Sequence, residues 1–231
     1  MNFNDFEVLT FDCYGTLIDW ETGLWQALKP IYAAHQISIS AERALELYGE
    51  LEAGLEHGRY QAYKTLLRKA LEGMGARLGF TPTEEELQSF SHSVKDWPAF
   101  MDTPRALQAL KQKYQLAILS NIDDDLFALS APQLQVSFDW VITAQQAQSY
   151  KPSVHNFQLA LERIGLPRDK ILHVAQSLYH DIAPAKSLGL ATVWVNRRHG
   201  KPGAGATPPA QAQPDWVVPD LQTLVERMGV M

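Results

Sequence analysis

Short apolar runs that end in polar residues alternate along this chain with longer stretches of helical period. The runs at 8–11, 116–119, 141–142, 171–174, 192–195 and 216–218 predict strands, each short enough to be buried on both faces. Between them, Val154, Phe157, Leu161 and Ile164 follow one another at intervals of three, four and three, and Gly165 stands where such a helix would stop. Thr103 followed by Pro104 opens another helix, with Leu107 and Leu110 along its apolar face. Strands alternating with helices predict an α/β fold, a Rossmann-like parallel sheet flanked by helices.

The stretch 20–97 breaks this alternation. Leu24, Leu28 and Ile31 form one helical stripe, Ala44, Tyr48, Leu51 and Leu55 a second, and Tyr63, Leu67, Ala70 and Met74 a third. Thr83 with Glu86 forms a capping box for a fourth helix carrying Leu87, Phe90 and Val94. The expected organisation is therefore a core of residues 1–19 and 98–231 with an all-helical cap subdomain, 20–97, inserted after the first strand. Between Asn196 and Pro214 the run GKPGAGATPPAQAQ predicts a surface loop before the last strand and helix.

Composition narrows the function classes. The 231 residues are 46% hydrophobic, enough for a substantial core. Twenty Lys and Arg against 26 Asp and Glu leave a net charge of −6, which argues against a nucleic-acid or acidic-membrane binder, since both need a basic surface. The lone Cys13 can make neither an internal disulfide nor a multi-cysteine zinc site. The amino terminus has no basic residue before its first apolar run and does not read as a secretory signal, and no apolar run approaches a membrane span. A soluble cytoplasmic protein is expected. A Walker loop, a Gly-x-Gly-x-x-Gly turn and a His-Glu-x-x-His helix are all missing from the sequence.

In an open parallel sheet the ligand site lies beyond the carboxyl ends of the strands. The residues that follow the first four strands are Asp12, then Ser120 and Asn121, then Lys151, then Gln176, Ser177 and Asp181. A carboxylate, a hydroxyl, an amide and an ammonium at one sheet edge suit nucleophilic catalysis, with Asp12 attacking, Lys151 orienting it, and Ser120 and Asn121 donating hydrogen bonds to substrate. Cys13 is expected to point away from Asp12 by strand alternation, the run Asp123, Asp124 and Asp125 to start a helix, and the seven histidines to be structural or surface residues.

The set FDCYGTLID, LSN, YKP and AQSLYHDIAPAKSLG, in that order, resembles the four motifs of the haloacid dehalogenase superfamily of hydrolases, and the helical block sits where that family inserts its type I cap. The resemblance covers nearly the whole chain. Phosphatase members carry a second Asp two residues after the nucleophile; Tyr14 stands there instead, as in the L-2-haloacid dehalogenase branch. The resemblance then implies a hydrolytic dehalogenase for short 2-haloalkanoic acids, with Asp12, Lys151, Ser120 and Asp181 catalytic, and Tyr14, Asn121 and Ser177 binding substrate. It implies no cofactor, and a small anionic molecule as partner with self-association as a homodimer admitted.

The chain departs from that branch in three places. The fourth motif keeps only Ser177 and Asp181, Phe157 replaces an expected Tyr, and the cap arginine would fall near Gly49, which leaves Arg43 and Arg59 as its nearest substitutes. Two alternatives follow: a phosphatase using Mg²⁺ held by Asp12, the Tyr14 carbonyl and Asp181, and a non-catalytic binding module on the same scaffold.

Overall fold

The computed structural model describes residues 2–200, 206–207 and 210–230. Six parallel strands form one sheet in the order β3-β2-β1-β4-β5-β6. They are β1 (Val8–Phe11), β2 (Gln115–Ser120), β3 (Trp140–Thr143), β4 (Ile171–Ala175), β5 (Ala191–Val195) and β6 (Trp216–Val218). The chain moves outward from β1 to β3, then returns to the other side of β1 for β4. The direction of winding thus reverses beside β1, and in this topology a crevice opens there beyond the strand ends.

β1, β2 and β4 are almost wholly buried and β3 is half so, which explains why they read as continuous apolar runs rather than as alternating ones. Within the run of β4 one polar residue, His173, is fully buried.

Four helices lie between β1 and β2: α1 (Trp20–Ala34), α2 (Ala41–Glu56), α3 (Tyr63–Leu78) and α4 (Glu84–His92). Their termini follow local chemistry. Asp19 and Ser40 cap α1 and α2 through their side chains, and Thr83 and Glu86 complete the capping box of α4. The amino terminus of α3 is capped from elsewhere: Asp123, beyond β2, accepts the Tyr63 and Lys64 amides at 2.8 and 3.0 Å and the Tyr60 hydroxyl at 3.2 Å. A buried carboxylate at a helix amino terminus satisfies orphan N–H groups and the helix dipole together, and it ties the helical block to the sheet edge. Within the block, Gly23 of α1 lies under Trp97, whose ring atoms would stand 2.3 Å from an added Cβ.

Among the described residues six further helices follow: α5 (Thr103–Lys111), α6 (Asp124–Ser130), α7 (Ala144–Ala147), α8 (Val154–Ile164), α9 (Ala183–Ser187) and α10 (Leu221–Met228). Gly165 ends α8 in the left-handed conformation, φ 71°. Among the described residues no helix is long and apolar enough to cross a membrane. Residues 201–205 and 208–209 of the expected Gly- and Pro-rich loop lie outside the described residues; of that loop, Ala206 is buried.

Candidate active site

Asp12 follows β1 directly and is 6% exposed. Its backbone N–H still bonds the Val174 carbonyl of β4 at 3.2 Å, so the position of the residue is fixed by the sheet. The next residues turn sharply: Cys13 O receives the amides of Thr16, Leu17 and Ile18, with Gly15 at φ 98°. The turn brings Thr16 back over the carboxylate, where its hydroxyl donates to Asp12 Oδ2 at 2.6 Å and accepts the Gln176 amide at 2.9 Å.

Lys151, 1% exposed, enters from the segment after α7. Its Nζ donates to Asp12 Oδ1 at 2.9 Å, Asp181 Oδ1 at 2.6 Å and the Leu119 carbonyl at 2.9 Å. An ammonium has three N–H bonds, and these three contacts use them all. Burial opposes the charge on Lys151, but the two carboxylates outweigh it and hold the amine cationic well above its ordinary range. The Asp12 carboxyl is pushed up by burial, and further by Asp181, against the pull of Lys151. Burial works the same way on Asp181, yet Lys151 and His173 prevail and its carboxyl lies below the ordinary range.

Behind Asp181 stands a row of buried groups. His173 Nε2 lies 3.0 Å from Asp181 Oδ1, and Thr10 Oγ1 lies 2.9 Å from His173 Nδ1. Asp181 Oδ2 is buried with no hydrogen-bond partner among the described residues. So is the hydroxyl of Ser120, the last residue of β2. Both residues line a cavity of about 50 Å³ beside Asp12, and an unpartnered polar atom facing a cavity is a place for ligand.

Other expected site residues hold the frame. Asn121 accepts the Lys151 amide at 2.7 Å, and its own amide donates to the Lys151 carbonyl at 3.0 Å and to Glu56 at 3.1 Å. Its side chain therefore positions the lysine segment, where sequence suggested donation to substrate. Ser177 accepts the His180 amide at 2.8 Å. The Tyr14 ring lines the cavity, but its hydroxyl donates to Ser130 at 3.0 Å, and burial pushes the phenol well above its ordinary value. Phe157 packs its edge on His173.

Two expectations need correction. Arg43 lies on the outer face of α2, paired with Glu46 at 3.2 Å and Glu50 at 3.6 Å, and Arg59 is exposed beyond the end of that helix. Neither lines the cavity. Gly49 has its own constraint: an added Cβ would stand 2.3 Å from the Ala206 carbonyl oxygen, so no side chain fits there. Where an arginine was sought, α2 presents Glu52 and Glu56 and α3 the Tyr63 ring, and the segment after β4 adds His180. Thr16, His173, His180, Glu52 and Glu56 were not singled out from sequence.

Cys13 is buried with its thiol pushed up by burial. The acidic run starts α6, and its members are engaged: Asp123 with α3, Asp124 with Thr143 and Gln146, and Asp125 with Lys64. Asp12 Oδ1 accepts from Lys151 and Oδ2 from Thr16, and of the Asp12 and Asp181 carboxylates only Asp181 Oδ2 has no hydrogen-bond partner among the described residues. Among the described residues no group of three or more His, Cys, Asp or Glu is placed to hold a metal ion.

A family model described as haloacid dehalogenase-like hydrolase matches residues 6–189. An (S)-2-haloacid dehalogenase of Pseudomonas fluorescens is 29% identical over 217 residues, covering 91% of each chain. The L-2-haloacid dehalogenase of Xanthobacter autotrophicus superposes with a TM-score of 0.81 at 23% identity, over 96% of this chain and 98% of that one. A structure of the same enzyme with chloropropionic acid covalently bound gives 0.80 at 22% identity, with the same coverage.

Proposed function

The chain belongs to the haloacid dehalogenase-like hydrolases, and from that premise we propose that it hydrolyses the carbon–halogen bond of short 2-haloalkanoic acids through a covalent ester on Asp12. The observation that carries this reading is the hydroxyl of Tyr14, which is turned away to Ser130. No carboxyl stands two residues after the nucleophile to protonate a leaving oxygen, and a halide leaves without a proton.

The proposed steps draw on the groups around Asp12. The Asp12 carboxylate attacks C2 of the substrate, a carbon–oxygen bond forms, and halide departs with the carbon–halogen electron pair. Lys151 and Thr16 fix the carboxylate, and its buried position leaves it poorly solvated and basic for an aspartate. The Ser120 hydroxyl, which has no hydrogen-bond partner among the described residues, donates to the substrate carboxylate. Water then attacks the carboxyl carbon of the ester; in this reading Asp181 Oδ2, likewise without a partner among the described residues, orients that water and receives its proton. The 2-hydroxy acid leaves with the former Asp12 oxygen, the carboxylate is restored with an oxygen from water, and one proton passes to solvent.

The relatives named as 2-haloacid dehalogenases support this assignment of substrate class. A panel of 2-haloacids and phosphate monoesters, assayed with EDTA and with Mg²⁺, tests it. Chloride release from L-2-chloropropanoate that is indifferent to EDTA is expected. Phosphate release dependent on Mg²⁺ and no halide release would overturn the reading.

A further inference from the structure

The apolar run of β4 is broken by one polar side chain, His173, which is fully buried and takes no part in the steps above. A buried imidazole is costly unless its nitrogens are bonded. Here both have partners. Nε2 lies 3.0 Å from Asp181 Oδ1, and Nδ1 lies 2.9 Å from the hydroxyl of Thr10, the residue opposite in register on β1. Phe157 presents only its ring to the imidazole and competes for neither nitrogen.

These contacts fix where the ring proton sits. The Asp181 carboxyl lies below its ordinary range and only accepts, so Nε2 carries the proton of that contact. The Thr10 hydroxyl has one proton and two acceptors in reach, Nδ1 at 2.9 Å and the Leu172 carbonyl at 3.5 Å. The shorter contact takes it and locks the tautomer.

The consequence falls on one carboxylate. Asp181 Oδ1 receives two donors, Lys151 Nζ at 2.6 Å and His173 Nε2, while Oδ2 has no partner among the described residues. Lys151 alone would not preserve that division. Once Asp12 is an ester its charge is gone and its hold on one N–H of the ammonium weakens. A carboxylate held by the lysine only could then turn and take that N–H through its second oxygen. His173 pins Oδ1 from β4, at a point the reaction does not change.

We propose that His173, oriented by Thr10, is a positioning residue for the second half of the reaction: by holding Asp181 Oδ1 it keeps Oδ2 open for the water that hydrolyses the Asp12 ester. This role rests on the dehalogenase reading and its covalent ester. In that step water adds to the ester carbonyl carbon and passes a proton to Asp181 Oδ2. The bond from that carbon to the substrate oxygen breaks, the oxygen takes up the proton as the 2-hydroxy acid leaves, and the new Asp12 carboxyl ionises. His173 neither gains nor loses a proton.

Rapid mixing with L-2-chloropropanoate, acid quench and mass spectrometry of the intact chain give the rates at which the ester forms and decays. His173→Phe keeps a ring in the apolar run and removes both polar contacts. Ester decay is expected to slow about tenfold or more, with formation within about threefold of wild type, so the ester accumulates. In an Asp181→Asn background the same substitution should slow decay no further, because the water has already lost its acceptor. Unchanged decay in His173→Phe, equal slowing of both steps, or full additivity with Asp181→Asn would overturn the proposal. If His173→Phe does not fold, Thr10→Val decides in its place, since it keeps the side-chain shape and removes the hydroxyl that locks the tautomer. Decay slowed relative to formation supports the proposal, and an unchanged ratio overturns it. A wild-type protein that releases halide without an ester on Asp12 overturns the positioning role and leaves dehalogenation standing; one that releases no halide from any 2-haloacid overturns both.

Discussion

Lys151 Nζ stands 2.6 Å from Asp181 and 2.9 Å from Asp12, so the lysine is shared between a carboxylate that stays in place and one that must react. When Asp12 becomes an ester it loses its charge, and the ammonium remains paired with Asp181 instead of being stranded in a buried site.

The sharing sets a pH dependence that two variants should move in opposite directions. Attack requires ionised Asp12, whose carboxyl burial and Asp181 push up, so the acid limb of kcat/KM is expected above ~3.9, the ordinary aspartate value. Lys151→Met removes the pull toward ionisation, so the limb should shift to higher pH, with turnover falling by about a hundredfold or more. Asp181→Asn removes a charge that raises Asp12, and the limb should shift to lower pH. Measured pH profiles that move together would contradict the shared-lysine account.

The ester on Asp12 has an isotopic signature. In a single turnover with enzyme in excess in oxygen-18 water, the label should enter the peptide containing Asp12 and be absent from the new hydroxyl of the product. Mass spectrometry of peptide and product checks both. Label in the product alone would mean that water attacks C2 directly.

Tyr14→Phe is expected to leave turnover within about threefold of wild type, since the lost hydroxyl faces Ser130 and carries no proton in the reaction. A loss of about a hundredfold would make the phenol a participant.

Glu52 should make stability depend on pH. Its carboxyl, ordinarily near 4.5, is raised to about 7 in the folded chain, so the stabilisation it contributes is complete below about 4.5 and is lost as pH rises through about 7. The shift corresponds to on the order of 3 kcal/mol. Thermal unfolding at pH 5 and pH 8 should show a falling Tm in the wild type and a smaller fall in Glu52→Gln, which keeps an acceptor for Tyr48 and Tyr63. Equal slopes in the two proteins would mean that Glu52 is ionised throughout.

The sheet was legible because buried parallel strands leave continuous apolar runs; Asp12 and Ser120 were legible because each stands just past the end of one, and Lys151 because it lies on the segment that leads away from β3 and α7. The register of six runs marks a site; it does not say which side chains turn inward. His173 carried a signal that was passed over, a polar residue inside the apolar run of β4. Glu52 carried another, four residues after Tyr48 and thus on the buried stripe of α2, while Arg43 shares a face with Glu46 and Glu50. Charge type drew attention to the arginine, but the period of the helix placed the glutamate. Asn121 could not be resolved in this way, because its partners, the Lys151 backbone and Glu56, are distant in sequence.

The meeting of Gly49 with Ala206 bears on how this enzyme could change. An arginine introduced at position 49 of α2 would drive its first carbon into the Ala206 carbonyl, in the chain that follows β5, so the backbone there must move before any side chain is accommodated. Altering the helix alone gives a clash, whatever residue is chosen. Variant libraries that seek a basic residue at this position should therefore vary the α2 face and Ala206 together, because the path runs through paired changes rather than single steps.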